Sequence, residues 1–135
     1  MTNILFICRH NRFRSKVAEA YFNKVNKNPK FVAKSAGTIR GSFPLDKNQV
    51  KIAKELGINM KGKPQGLSTD LLKWSDIQII VADDVPKILL NNSERFGKKL
   101  IVWKIPDAHH TDKKGINKTI NMIKSKIDEF IKNIK

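Results

Sequence analysis

The chain has 135 residues, a single cysteine and a formal net charge of +15. That length supports one domain, taken here as residues 1–135, while the lone cysteine excludes an internal disulfide framework. No run is long and apolar enough to span a bilayer, and the first residues lead straight into a strand with no leader pattern, so a reducing cytoplasm is the expected location. The charge is mostly lysine spread along the chain. It gives a field that attracts anions without choosing among them, and no helix-turn-helix, zinc spacing or aromatic–basic repeat points to specific nucleic-acid binding.

Residues 3–7, Asn-Ile-Leu-Phe-Ile, are uncharged and partly β-branched, which predicts a strand buried on both faces. A loop from Cys8 follows. Val17, Ala20 and Tyr21, spaced i, i+3, i+4, then predict an amphipathic helix from Ser15 to about Asn26. A strand that ends in a loop and opens a helix gathers free N–H groups and the positive end of the helix dipole at one place, so this loop is a candidate anion site. It holds the only cysteine and the arginines at 9, 12 and 14. A thiol in such surroundings is favoured in its charged form. Arg14 can return to the same centre and hold two oxygens of a tetrahedral oxyanion in its fork, while backbone N–H groups of residues 9–14 cradle the others. Ser15 is placed to cap the helix and to donate to the sulfur.

Asn28-Pro29-Lys30 breaks the first helix, and residues 31–35 form a second strand ending in Ala36-Gly37-Thr38. After a loop over 39–45, Asp46 is placed to cap a helix over 47–56 that Gly57 closes. A basic, glycine-rich connector over 61–66 precedes a short helix from Ser68 to Trp74. Residues 77–81 are a third strand. Asp83-Asp84 follows, then a helix from about Pro86 to Asn91. Neighbouring side chains are expected to point apart, which argues against an acid–base pair at Asp83 and Asp84. Residues 99–103 form the fourth strand and 105–110 a loop. Ile116, Ile120, Ile123, Ile127, Phe130, Ile131 and Ile134 mark a long last helix starting at Thr111 or Gly115. Four apolar strands alternating with helices predict an α/β, three-layer, flavodoxin-like fold. Its four-stranded parallel sheet has the order 2-1-3-4 with helices on both faces. Ligands in such sheets lie beyond the carboxyl ends of the strands. Cys8, Ser35, Asp83 and Asp107 each fall just after a strand end and are expected to share one rim.

Cys8-x5-Arg14-Ser15, with Asn11 at the fourth position, Ala18-Glu19-Ala20 behind it and Ser35-Ala36-Gly37-Thr38 about twenty residues on, resembles the low-molecular-weight protein tyrosine phosphatase family. The later elements fall in family order. The resemblance implies hydrolysis of aryl phosphate monoesters through a phosphocysteine. Cys8 would be the nucleophile, Arg14 the clamp on the equatorial oxygens, and Asp107 the acid that protonates the leaving oxygen and then the base for water. It also implies that Arg9, His10, Asn11, Arg12 and Phe13 meet the phosphoryl group and that Phe43 and His109 wall the cleft. Ser15 and Ser35 would support the loop, Ser35 through Asn11. No metal or other cofactor is implied. The expected ligands are a phosphotyrosine-containing protein or a small aryl phosphate, with phosphate, sulfate or vanadate as competing anions. No membrane or specific nucleic-acid partner is expected.

Several positions depart from the family pattern. Ala108 stands where a proline is usual, which frees Asp107 from the restriction a following proline imposes and predicts a looser acid loop. Arg9 and His10 replace an apolar residue and a glycine, with His10 expected to restrict the loop backbone. Phe13 replaces a cysteine that pairs reversibly with the nucleophile, so Cys8 is expected to overoxidise more readily. Two other readings remain open. One is an arsenate reductase using an external small thiol, since the internal relay needs two further cysteines. The other is a degenerate phosphate- or phosphoprotein-binding module, which Arg9, His10 and Ala108 favour. Hydrolysis of an aryl phosphate separates the phosphatase from the binding module, and thiol-dependent arsenite formation separates the reductase.

Overall fold

Strand β1 (Thr2–Cys8) lies inside the sheet, with Ile4, Leu5, Phe6 and Ile7 fully buried. Alternation along the strand sends Ile4 and Phe6 to one face and Leu5 and Ile7 to the other, and each pair seeds its own core. The computed structural model describes residues 1–39, 44–93 and 98–134. Across them β1 is followed by α1 (Arg14–Val25), β2 (Phe31–Gly37), α2 (Lys47–Glu55), α3 (Thr69–Trp74), β3 (Ile77–Val81), a 3-10 helix (Lys87–Ser93), β4 (Lys99–Trp103) and α4 (Lys113–Asn133). All strand pairs are parallel and the order is β2-β1-β3-β4, as the sequence pattern predicts.

The larger core packs α1, α2 and α4 on the Ile4–Phe6 face. Val17, Ala18 and Phe22 meet Ile116, Ile120, Ile123 and Ile127 there, and the Phe6 ring lies 6.0 Å from Phe22 and 6.1 Å from Trp103. The isoleucines of α4 recur at helical spacing, so one stripe of a long helix covers the sheet. The Tyr21 hydroxyl on α1 donates to Asp128 Oδ1 on α4 at 2.7 Å. Burial, that bond and the carboxylate's charge push the phenol up to about 12. The tie is therefore complete below the ordinary tyrosine value near 10 and lost only as pH rises through about 12. The opposite face holds Leu5, Ile7, Ala36, Ile80 and Val85 under Leu71, Leu72 and Trp74 of α3. No helix among the described residues is long and apolar enough to cross a membrane.

The helix expected after β3 is of the 3-10 type, and Leu90 leaves helical geometry at φ −115°, ψ 22°. Leu90 is buried in the second core while Ile88 and Leu89 stay exposed. A single anchored side chain gives the turn one fixed point and no stripe to align a regular helix.

Candidate active site

The loop between β1 and α1 needs one residue in the left-handed region, and Asn11 takes it at φ 57°. Asparagine is among the few non-glycine residues that do so at small cost. The expected restriction at His10 therefore falls on its neighbour. Buried Asn11 then ties the loop in three directions. Its Nδ2 donates to Ser15 Oγ at 2.7 Å, its Oδ1 accepts from the Gln65 backbone N–H at 2.9 Å, and its own backbone N–H points to Cys8 Sγ at 3.2 Å. Ser15 Oγ lies 2.9 Å from the same sulfur. A hydroxyl has one hydrogen to give. Asn11 donates into its oxygen, which leaves that hydrogen free for Cys8, so the Asn11 N–H and the Ser15 hydroxyl can both donate to a buried sulfur.

Ser15 does not cap the helix. α1 begins one residue earlier, at Arg14, and Phe13 stands at the cap with no side-chain bond. The first-turn N–H groups are thus left without a side-chain cap, the condition in which a helix start receives an anion.

The Ser35–Thr38 segment braces the loop through its main chain. Thr38 N–H donates to Cys8 O at 3.0 Å and Ile39 N–H to Arg9 O at 2.8 Å. Gly37 lies directly beneath: a Cβ there would stand 2.6 Å from the His10 carbonyl carbon and 2.7 Å from Asn11 N. Both are backbone atoms and cannot swing aside. Gly37→Ala is therefore expected to destabilise the protein by about 1–3 kcal/mol and to weaken phosphate binding. A urea titration and a phosphate titration of the variant check this; an unchanged midpoint with unchanged affinity would contradict it. Ser35 itself departs from the expected role. It pairs with Phe6 in register, on the face that α1 covers, and its hydroxyl donates to Glu19 Oε1 at 2.5 Å. Gln65 bonds Asn11 directly, and its Nε2 donates to Ser35 O at 2.8 Å, so Ser35 reaches Asn11 through its carbonyl and Gln65 and not through its hydroxyl.

Arg14 is buried and its guanidinium faces the ends of β3 and β4. Nη1 donates to Ile105 O at 2.9 Å and Nη2 to Asp84 Oδ1 at 2.8 Å, with Asp83 Oδ1 3.5 Å from Nη1 and Asp107 Oδ1 3.8 Å from Nε. Asp83 and Asp84 thus face the same guanidinium instead of pointing apart. They occupy an irregular turn after β3, where strand alternation no longer applies. Half-exposed Arg9 reaches Asp84 Oδ2 at 3.9 Å and does not line the cavity beside Cys8. Among the described residues no group of three or more His, Cys, Asp or Glu side chains is placed to hold a metal ion.

That cavity measures ≈ 80 Å³ and is lined by Cys8, His10, Arg12, Phe13, Arg14, Gln49 and Asp107. At roughly 30 Å³ per water it has room for a group the size of one tetrahedral oxyanion. Arg12 Nε also donates to Pro44 O at 2.9 Å. Asp107 is half-exposed, and its Oδ1 accepts from Ala108 N–H at 2.9 Å. The loop carrying it is held at alternate carbonyls: Thr119 Oγ1 donates to Pro106 O at 3.3 Å, Gln49 Nε2 to Ala108 O at 3.2 Å, and Asn48 Nδ2 to His110 O. These ties offset the missing proline at position 108, against the expectation of a looser loop. His109 does not line the cavity. Its Nδ1 lies 2.8 Å from Thr111 Oγ1 and its ring 4.2 Å from that of His110. Phe43 lies outside the described residues.

Gln49, Gln65 and Asp84 were not foreseen. Gln49 stands three residues after the helix cap Asp46, in a first turn that faces the site, and that spacing was the only local signal.

The fold recurs widely among solved structures. A low molecular weight protein tyrosine phosphatase from T. tengcongensis is 25% identical over 98% of this chain and 99% of its own, with a TM-score of 0.85. A protein tyrosine phosphatase from Entamoeba histolytica is 22% identical over 99% and 97%, with a TM-score of 0.88. The YwlE arginine phosphatase from Geobacillus stearothermophilus is 17% identical over 99% and 93%, with a TM-score of 0.87. No curated protein is significantly similar to the chain in sequence. The profile of the family described as low molecular weight phosphotyrosine protein phosphatase matches residues 3–135, and the chain belongs to that family.

Proposed function

We propose that this protein is a cytoplasmic, cysteine-dependent protein-tyrosine phosphatase that hydrolyses aryl phosphate monoesters. In the first step the Cys8 thiolate attacks phosphorus, the bond from phosphorus to the phenolic oxygen breaks, and Asp107 gives its proton to that oxygen. In the second step Asp107 takes a proton from water, the water oxygen bonds to phosphorus, and the phosphorus–sulfur bond breaks to return thiolate and phosphate. The backbone N–H groups of the loop and the Arg14 guanidinium meet the phosphoryl oxygens, and Asn11 and Ser15 hold the sulfur and the loop in place. The observation that carries this reading is the pair of donors on Cys8 Sγ, at 2.9 and 3.2 Å, beside an oxyanion-sized cavity whose walls include both Arg14 and Asp107.

The test is a comparison of substrates at equal concentration: a phosphotyrosine peptide, a phosphoarginine peptide, and arsenate with a small thiol. The expected result is turnover of phosphotyrosine, competitively inhibited by vanadate. Turnover of phosphoarginine alone would assign the activity of the arginine phosphatase that shares the fold, and arsenite formation alone would assign a reductase. No turnover of any of the three, with phosphate still bound, would leave a binding module.

A further inference from the structure

A second cavity, ≈ 400 Å³, shares no lining residue with the one at Cys8. One wall is α1, through Lys16, Glu19, Ala20, Asn23 and Lys24, and the other is the chain after α2, through Gly57, Asn59 and Lys61. Its volume falls in the range that takes small organic ligands. Three ammonium groups face one carboxylate, and that carboxylate is already engaged: Glu19 Oε1 accepts from Ser35 at 2.5 Å and stands 4.0 Å from Lys16 Nζ.

Lys16 is the informative residue. Its side chain is 6% exposed, and among the described residues its ammonium makes no hydrogen bond and has Glu19 as its only ion-pair partner, at the outer limit of such a contact. Its stem is packed against the protein while the ammonium keeps contact with solvent on the wall of the cavity, where an anion would be a closer charge partner than Glu19. The backbone is shaped around these groups. Among the described residues the two glycines with positive φ, Gly57 at 81° and Gly62 at 87°, each lie against a lysine ammonium. A Cβ on Gly57 would stand 2.9 Å from Lys24 Nζ and one on Gly62 would stand 3.1 Å from Lys16 Nζ. Lys24 Nζ also donates to Gly57 O at 2.5 Å, so its position is set by the chain it faces.

We propose that this cavity is a second anion site, built for a small organic phosphate. Lys16, Lys24 and Lys61 receive the phosphate oxygens as charge-assisted donors, and the Asn23 and Asn59 amides meet hydroxyls on the organic body. The site is independent of the phosphatase reading, since it uses none of the residues assigned to that chemistry. It is nonetheless one residue from it in sequence: Lys16 follows Ser15, which bonds Cys8.

The test is calorimetric titration of ribose 5-phosphate, and separately of inorganic phosphate, into protein carrying Cys8→Ser to prevent turnover. Two binding events are expected for ribose 5-phosphate. Adding the exposed pair Lys24→Gln and Lys61→Gln should weaken one event about tenfold or more and leave the other unchanged, because two charge-assisted donors are lost. Adding Lys126→Gln and Lys132→Gln, which removes the same charge from exposed positions of α4, should change neither. In otherwise wild-type protein the first pair should keep kcat/KM on an aryl phosphate within about twofold. A single binding event, or equal weakening by both pairs, would overturn the site and leave only the general positive field. Equal affinity for inorganic phosphate would overturn the assignment of an organic ligand.

Discussion

Cys8→Ser is expected to lower hydrolysis of an aryl phosphate by about 10⁴-fold or more while phosphate still binds. The reason is local. A serine hydroxyl attacks phosphorus only if a base removes its proton, and the atoms that face this position, the Asn11 N–H and the Ser15 hydroxyl, are donors. Such groups stabilise a thiolate once formed and do nothing to take a proton from an alcohol. The substitution is small and the position lies at a strand end next to hydrogen-bonding groups, so stability should change by no more than about 1 kcal/mol. Single-turnover kinetics, a urea titration and calorimetry with phosphate check the three parts separately. Turnover that survives the substitution in a folded protein would remove the sulfur from the chemistry altogether.

The parts of the molecule that were legible in the sequence share a property: their signal is local. The strands are short uncharged runs, α4 writes its buried stripe as isoleucines at helical spacing, and Asp46 and Ser68 cap their helices within three residues, accepting from Gln49 N and Leu71 N. From those elements the parallel order follows, and so does the rim where strand ends meet. What was not legible is how irregular segments cross that rim. Gln65 reaches Asn11 over 54 residues, Gln49 reaches Ala108 over 59, and Asp84 reaches Arg14 over 70. No local pattern encodes such contacts, because each depends on where two loops happen to pass. The same holds for Ser35. The family resemblance implies a tie from Ser35 to the loop, but its register beside Phe6 places its hydroxyl on the α1 face, where Glu19 is the acceptor. Strand alternation does not reach Asp83 and Asp84, which lie just past the point where β3 stops.

Those loop contacts decide how the acid behaves, and Asp107→Asn tests it. The expected result is a fall in kcat of about 10²- to 10⁴-fold on a substrate with a poor leaving group, with little change in KM. The carboxylate accepts Ala108 N–H at 2.9 Å, a bond that an amide oxygen keeps, and the loop's other ties run through the carbonyls of Pro106, Ala108 and His110, which the substitution does not touch. Arg14 loses a charge partner 3.8 Å from Nε but retains Asp84 and Ile105 O at 2.8 and 2.9 Å, so the guanidinium stays where it is. Geometry is preserved and only the proton is removed. Two consequences separate this role from a structural one. The deficit should shrink as the leaving group becomes more acidic, because a phenolate that departs unaided needs no proton. Vanadate and phosphate should bind the variant about as well as the parent, because the loop's ties and the Arg14 contacts are kept. A deficit independent of leaving group, or a loss of anion affinity, would make Asp107 a loop tie and leave the leaving oxygen without its donor.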